Sequence, residues 1–328
     1  MTSIPTVSLG DAGPHVAGIV GAACRDVGFF QITDHGVGQG VIDRAWQTSR
    51  RFFDLPAAER LATARRRDGD AYGYIPLATE ALTRSLDTGG DTAPDLKETF
   101  NVGPFERPAV LRDEGERWAF GDTPWPPSMP ELRAALEPYH RAMLDLATRL
   151  MRVFAMALDL PPDWFDGLID QSPSALRIID YPHLESAALD RISDHQFRAG
   201  AHTDYGTLTL LVQDDAPGGL EVLDPRSGAW TPVPACDGAI VVNLGDLMAR
   251  WTNERWRSTL HRVVTPPPSS KGSTRRQSIA FFHNANYHAV IECLPTCLGP
   301  GEQPSHPPVE AGPHLMSKFH RAIGRSPA

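Results

Sequence analysis

Six short apolar runs occupy the chain after residue 175: Leu176 to Tyr181, Thr207 to Gln213, Leu220 to Leu223, Ala239 to Asn243, His261 to Thr265 and Ser278 to Phe282. Gly, Pro and Asp separate them, and runs this short at this spacing predict the strands of a β-sandwich or barrel, jelly-roll in type. The first half reads differently. Val16, Ile19, Val20, Ala23, Cys24 and Val27 recur at helical spacing, and Val41, Ile42, Ala45, Trp46, Ser49 and Phe52 do so again before Pro56. Between these stripes Gly28 punctuates the chain, and Phe29 to Thr33 has the aromatic and β-branched content of a strand. Turn signals make residues 64–130 loop-rich. A long helix is predicted next, with Leu132, Leu136, Tyr139, Met143, Leu146, Leu150, Phe154 and Leu158 on one face. Pro138 falls inside that stripe and predicts a kink there or a helix that begins only afterwards. Helices before strands, with no strict βαβ alternation, make the expected class α+β around a β-barrel, with the early helices bracing its outside.

The chain is acidic, with 31 Lys plus Arg against 40 Asp plus Glu and a formal charge of -9. Its basic run, Arg65-Arg66-Arg67, is followed at once by Asp68 and Asp70, which argues against nucleic acid or an anionic membrane as partner. No apolar stretch approaches the roughly 20 residues of a membrane-spanning helix. Met1 to Gly10 lacks the layout of a secretory signal. Cys24, Cys236, Cys293 and Cys297 do not suggest a disulfide scaffold, so the expected compartment is the cytoplasm. The 30 prolines are scattered and read as stiff loops.

The segment that carries chemistry is Ala201-His202-Thr203-Asp204-Tyr205-Gly206. His202 and Asp204 are two apart, so at a strand end both side chains point to one side. His261 is a third candidate, just before Val263-Val264. Two imidazoles and a carboxylate form the facial triad of non-haem Fe(II) oxygenases, which leaves open positions for substrate, cosubstrate and dioxygen. Zinc in a hydrolase could use the same set, so the ligands alone leave the metal open. Arg276 and Ser278 open the last apolar run and, two apart on a strand, face the same way. A guanidinium fork beside a hydroxyl is a suitable carboxylate receptor.

These residues lie in stretches that resemble the Fe(II)- and 2-oxoglutarate-dependent dioxygenases of the isopenicillin N synthase-like family. The matching stretches are Arg25 to Ile32 with His35-Gly36-Val37, Asp95 to Phe100, Tyr181-Pro182, Ala201 to Leu211 and Gly218-Gly219-Leu220. They continue with Val242 to Asp246, Trp251-Thr252-Asn253, Ser258 to Val263 and Arg276 to Phe282. The resemblance spans about residues 4 to 290, and the motifs occur in the family's order. It implies a double-stranded β-helix (jelly-roll) core with a helix-rich N-terminal region. It divides the chain into an N-terminal dioxygenase region (1–120), a bracing helix (121–170), the jelly-roll core (171–295) and a C-terminal segment (296–328). His202, Asp204 and His261 match the family's iron ligands; Arg276 and Ser278 match its pair for the distal carboxylate of 2-oxoglutarate, and Tyr181 a tyrosine that helps hold it. The family often has Asn two residues before that tyrosine, whereas this chain has Ile179.

The implied activity couples decarboxylation of 2-oxoglutarate, with Fe(II) and dioxygen, to oxidation of a small-molecule metabolite. Hydroxylation is the default; desaturation, ring closure and epoxidation use the same chemistry. The rivals are an isopenicillin N synthase-type oxidase without 2-oxoglutarate, a zinc hydrolase on the same barrel, and a non-catalytic receptor. Five further expectations concern other residues. Asn243 and Asp246 read as turn residues. Lys97 and Glu98 read as a structural pair, Cys293 and Cys297 as no metal site, and His283, His288, His306 and His314 as solvated. The charged stretch His183 to Gly200 reads equally as a cover for the site's mouth and as a surface insertion.

Overall fold

The predicted strand from Phe29 to Thr33 forms, and it pairs with strands from much later in the chain. The computed structural model describes residues 4–10, 12–86, 93–185, 192 and 196–323. Its strands are β1 (Thr6–Ser8), β2 (Phe29–Thr33), β3 (Gly73–Ile75), β4 (Glu98–Val102), β5 (Ala175–Tyr181) and β6 (Ala199–His202). They continue with β7 (Leu208–Gln213), β8 (Leu220–Leu223), β9 (Trp230–Pro232), β10 (Ile240–Leu244), β11 (His261–Val263), β12 (Arg276–His283), β13 (Val290–Ile291) and β14 (Val309–Glu310). A large sheet runs in the order β1-β2-β10-β7-β12-β5-β4-β3, and a smaller one in the order β6-β11-β8-β9. Residues of both sheets line one cavity, as the jelly-roll expectation requires.

The N-terminal stripes form α1 (Pro14–Asp26) and α2 (Gln39–Phe53), and α3 (Ala57–Ala62) and α4 (Glu114–Ala119) follow. The long stripe forms α5, which runs without a break from Pro130 to Ala157. It therefore neither begins after Pro138 nor breaks there. Leu132, Leu136, Tyr139, Met143, Leu146, Leu150 and Phe154 are all fully buried on α5. Each such side chain stabilises the fold by roughly 1.5–3 kcal/mol, enough to outweigh the one backbone bond that proline removes. α5 packs against α1 and α2 on one side and against β7 and β12 on the other, so the helices brace the large sheet.

Several expectations need correction. The loop-rich stretch contains β3 and β4, which extend the large sheet beyond β5. Lys97 and Glu98 do not pair with each other: Lys97 is held by Asp95 and Glu80, whereas Glu98 meets Arg60 at 2.8 Å and accepts from the Tyr74 hydroxyl. His283 is not solvated. It is fully buried at the end of β12, with Nδ1 2.7 Å from the Thr207 hydroxyl. His288 lies among Asp113, Glu116 and Glu310. His306 meets Glu254 at 2.7 Å, and His314 lies on a C-terminal helix (Ala311–Ala322) absent from the sequence reading.

Candidate active site

His202 ends β6, His261 opens β11, and the two residues are register partners across that antiparallel pair. Their ring centroids are 4.2 Å apart. Asp204 follows β6 at once, and its Oδ1 lies 4.0 Å from His202 Nε2 and 3.7 Å from His261 Nε2. The candidate ligand atoms all fall within 4.8 Å of one another, and among the described residues no other group of three His, Cys, Asp or Glu side chains does this. In particular, Cys297 is buried in the hydrophobic core and forms no such group with Cys293.

Local hydrogen bonds fix which atoms can ligate. His202 Nδ1 is 2.7 Å from the Gly200 carbonyl and His261 Nδ1 is 3.0 Å from that of Thr259. A carbonyl only accepts, so each Nδ1 carries its proton and each Nε2 presents a lone pair. Burial, and next the neighbouring His261, push His202 down to about 3, which keeps the ring in its ligating neutral form. Burial by itself would raise the Asp204 carboxyl. The two imidazoles and the hydrogen bonds from Thr209 and Asn243 outweigh it and hold Asp204 below the ordinary carboxylate value.

The support for Asp204 comes from the opposite sheet. Its Oδ2 accepts from Thr209 Oγ1 and, at 2.6 Å, from Asn243 Nδ2, and these two donors are register partners on β7 and β10. The turn after β10 then grips the ligand loop by its backbone. Gly245 N donates to Thr207 O, Asp246 N to Asp204 O at 2.8 Å, and Leu247 N to Gly206 O. Glycine is required at 245 because a Cβ there would lie 2.2 Å from Gly206 O. Asn243 thus does more than form a turn: it orients a candidate ligand. The Asn-x-Gly-Asp motif was visible in the sequence, but its target was not.

An inner cavity lies beside the three candidate ligands, lined also by Tyr181, Arg276 and Ser278. Arg276 is register partner of Tyr181 and its guanidinium sits 5.0 Å from that ring's centroid. Arg276 Nη2 donates to Gln213 Oε1 at 2.6 Å, whereas Nε and Nη1 are buried with no hydrogen-bond partner. Asp214 Oδ1, at 3.9 Å from Nε, is too far to serve. Two idle charged donors in a buried cavity are costly, and a carboxylate would satisfy both. The residues present therefore fit 2-oxoglutarate as well as a metal ion. Ile179, opposite Ser278, gives that wall an apolar surface.

A second cavity, here termed the outer chamber, also borders His202 and Asp204 and is walled by Tyr72, Trp118, Phe282 and Phe319. Phe319 and Leu315 come from the C-terminal helix, whose inward residues Ala311, Leu315, Phe319 and Ala322 recur at helical spacing. That spacing was the available signal for it. Arg177 borders both cavities, with Nε on Asn101 Oδ1 at 2.9 Å and its fork on Glu80. Burial works against the Glu80 carboxylate, but Arg177, Lys97 and Arg65 hold it down at about 2. Asp95, the partner of Lys97, accepts from Gly200 N at 2.8 Å and so braces β6 beneath His202. Of the stretch from His183 to Gly200, residues 186–191 and 193–195 lie outside the described residues, and the cover expected there lies with them.

Comparison with known proteins bears on the same residues. The family model of the 2OG-Fe(II) oxygenase superfamily matches residues 174–285, and that of the non-haem dioxygenase in morphine synthesis N-terminal region matches residues 4–128. A 2-oxoglutarate-Fe(II) type oxidoreductase of Emericella nidulans is 35% identical over 93% of this chain and 84% of its own. The validamycin A dioxygenase of Streptomyces hygroscopicus is 33% identical over 92% of this chain and 80% of its own. Among solved structures, a full-length Neurospora crassa protein in complex with alpha-KG and thymine superposes with a TM-score of 0.83 at 27% identity, covering 96% of each chain.

Proposed function

The chain belongs to the 2-oxoglutarate-Fe(II) oxygenase superfamily, and we propose that within it His202, Asp204 and His261 hold the iron while Arg276, Ser278 and Tyr181 hold the cosubstrate. The protein is an Fe(II)- and 2-oxoglutarate-dependent dioxygenase acting on a small molecule, with dioxygen as oxidant. The oxidase without 2-oxoglutarate and the zinc hydrolase are not favoured, because the curated relatives are named for 2-oxoglutarate or as dioxygenases.

Iron held here would activate dioxygen, and 2-oxoglutarate would supply two of the four electrons by decarboxylation to succinate and carbon dioxide, the other two coming from the substrate. The chain's own part is placement. Two Nε2 lone pairs and Asp204 Oδ1 converge on one point, while the hydrogen bonds on Nδ1 and Oδ2 hold the rings and carboxylate in that pose. Arg276, with Ser278 and Tyr181 beside it, binds the distal carboxylate of the cosubstrate in the inner cavity. The aromatic walls of the outer chamber orient the substrate and exclude water. The single observation that carries this reading is the pair of idle donors on Arg276, in the same cavity as the three candidate ligands.

Hydroxylation is the proposed outcome, and a relative named validamycin A dioxygenase supports a secondary metabolite as the substrate class. The four-way division of the chain at residues 120, 170 and 295 is also proposed, and the two model matches, 4–128 and 174–285, support its first and third parts. The proposed compartment is the cytoplasm, which suits cysteines that are free among the described residues. Among those residues no helix is long and apolar enough to cross a membrane. The test is to make His202→Ala and Asp204→Ala and measure bound iron and turnover. Both variants should lose both; full activity in either overturns the ligand assignment.

A further inference from the structure

Arg198 is fully buried just ahead of β6. Its Nη1 donates to the carbonyls of Pro217, at 2.8 Å, and Gly218; its Nη2 donates to those of Thr274 and Pro182. Nε has no partner. Among the described residues none of its partners is a carboxylate. Carbonyl dipoles satisfy the N–H groups, but they leave the unit charge uncompensated in a dry environment, where a lone cation is expensive. Burial, then Arg276, pushes the Arg198 guanidinium down to about 10.

The position of this charge indicates its use. Arg198 lies 5.8 Å from the centroid of the Tyr181 ring, and Arg276 lies 5.0 Å from the same centroid. The carbonyls it holds belong to Pro182, directly after Tyr181, and Thr274, two residues before Arg276. Asp180 and Asp214 act on it only through space, and both have other cations: Asp180 is 2.8 Å from Arg275 Nε and 3.5 Å from Arg50 Nη1, and Asp214 is 3.9 Å from Arg50 Nη2 and from Arg276 Nε. Two guanidinium groups thus lie within 6 Å of one tyrosine ring, Arg276 in the wall of the inner cavity and Arg198 outside its lining.

We propose that Arg198 is a positioning and charge-supplying residue that selects a dicarboxylate over a monocarboxylate in the inner cavity, acting from outside the cavity's lining without touching the ligand. This rests on the cosubstrate reading above. Arg276 contacts the distal carboxylate; Arg198 supplies a second positive charge that adds to the cavity's preference for an anion. At an effective dielectric of about 20 and a separation of about 12 Å, one charge is worth about tenfold in affinity.

The experiment is calorimetric titration of the Fe(II)-loaded protein, without oxygen, with 2-oxoglutarate and with 2-oxopentanoate, which has no distal carboxylate. Wild type should prefer 2-oxoglutarate. In Arg198→Met that affinity should fall about tenfold, while 2-oxopentanoate binding stays within about twofold. Arg198→Lys keeps the charge with fewer carbonyl contacts, so it should keep most of the preference, and it serves as the test should the methionine variant not fold. Equal weakening of both ligands in Arg198→Met, or loss of the preference in Arg198→Lys, makes Arg198 a structural tie only and overturns the proposal. A wild type with no preference for 2-oxoglutarate would instead strike the cosubstrate reading beneath it.

Discussion

Asn243 reaches across from the large sheet to donate its side-chain amide to Asp204 Oδ2 at 2.6 Å. With the Thr209 hydroxyl on the same oxygen, it leaves Oδ1 as the atom turned toward the two imidazoles. Outer partners of this kind contribute roughly 10–100-fold in metal affinity. Asn243→Leu should therefore weaken Fe(II) binding by about 10–100-fold while the fold persists. Metal titration beside circular dichroism checks this; wild-type iron affinity in the variant would show that the amide is dispensable.

Gly245 is a second point of leverage, because its Cα packs against Gly206 and a Cβ would meet that carbonyl at 2.2 Å. Backbone cannot yield as a flexible side chain does, so Gly245→Ala must shift the loop that carries Asp204. Overpacking of this kind costs about 1–3 kcal/mol. Denaturant unfolding should report that loss together with reduced iron content; unchanged values in both would mean the loop accommodates the methyl group.

The three candidate metal ligands and the Arg-Ser pair were legible because residues two apart in extended chain point to one side, which His-x-Asp and Arg-x-Ser each announce. Arg276 and Ser278 do line one cavity with His202, Asp204 and His261. What local pattern could not supply was pairing at a distance. β4 is five residues, Glu98 to Val102, with apolar side chains only at Phe100 and Val102, and its polar residues are buried as well, which a local pattern does not reveal. β6 is four residues, Ala199-Gly200-Ala201-His202, with little apolar bulk. Asn243 looked like a turn former because the carboxylate it serves lies on another segment. His283 looked solvated because nothing nearby in sequence reveals that β12 continues to it under Thr207.

Arg276 gives a prediction about the cosubstrate alone. Arg276→Leu removes the two idle donors and leaves an incoming carboxylate desolvated and unpaired, at a cost of about 2–5 kcal/mol. The apparent Michaelis constant for 2-oxoglutarate should rise steeply while bound iron changes little. Equal loss of iron would instead place Arg276 in the support of the metal.

His283 sets part of the acid limit of the fold. Burial pushes it down to about 3, whereas an unfolded histidine titrates near 6.5. Between those values the unfolded chain binds the extra proton, so stability is complete above pH ~6.5 and falls as pH drops toward 3. This one group should remove ~2 kcal/mol by pH ~5. His283→Asn should show a shallower decline of unfolding free energy from pH ~7 to ~5 than wild type; parallel curves would assign the acid sensitivity to other groups.

The central claim, that this site couples 2-oxoglutarate to substrate oxidation, is tested most directly by succinate release. With Fe(II), dioxygen and a substrate found by mass-spectrometric screening of candidate metabolites, one succinate should form for each product molecule, and omitting 2-oxoglutarate should abolish product. Product formed at full rate from oxygen and iron alone would contradict the account and make the protein an oxidase that draws all its electrons from its substrate.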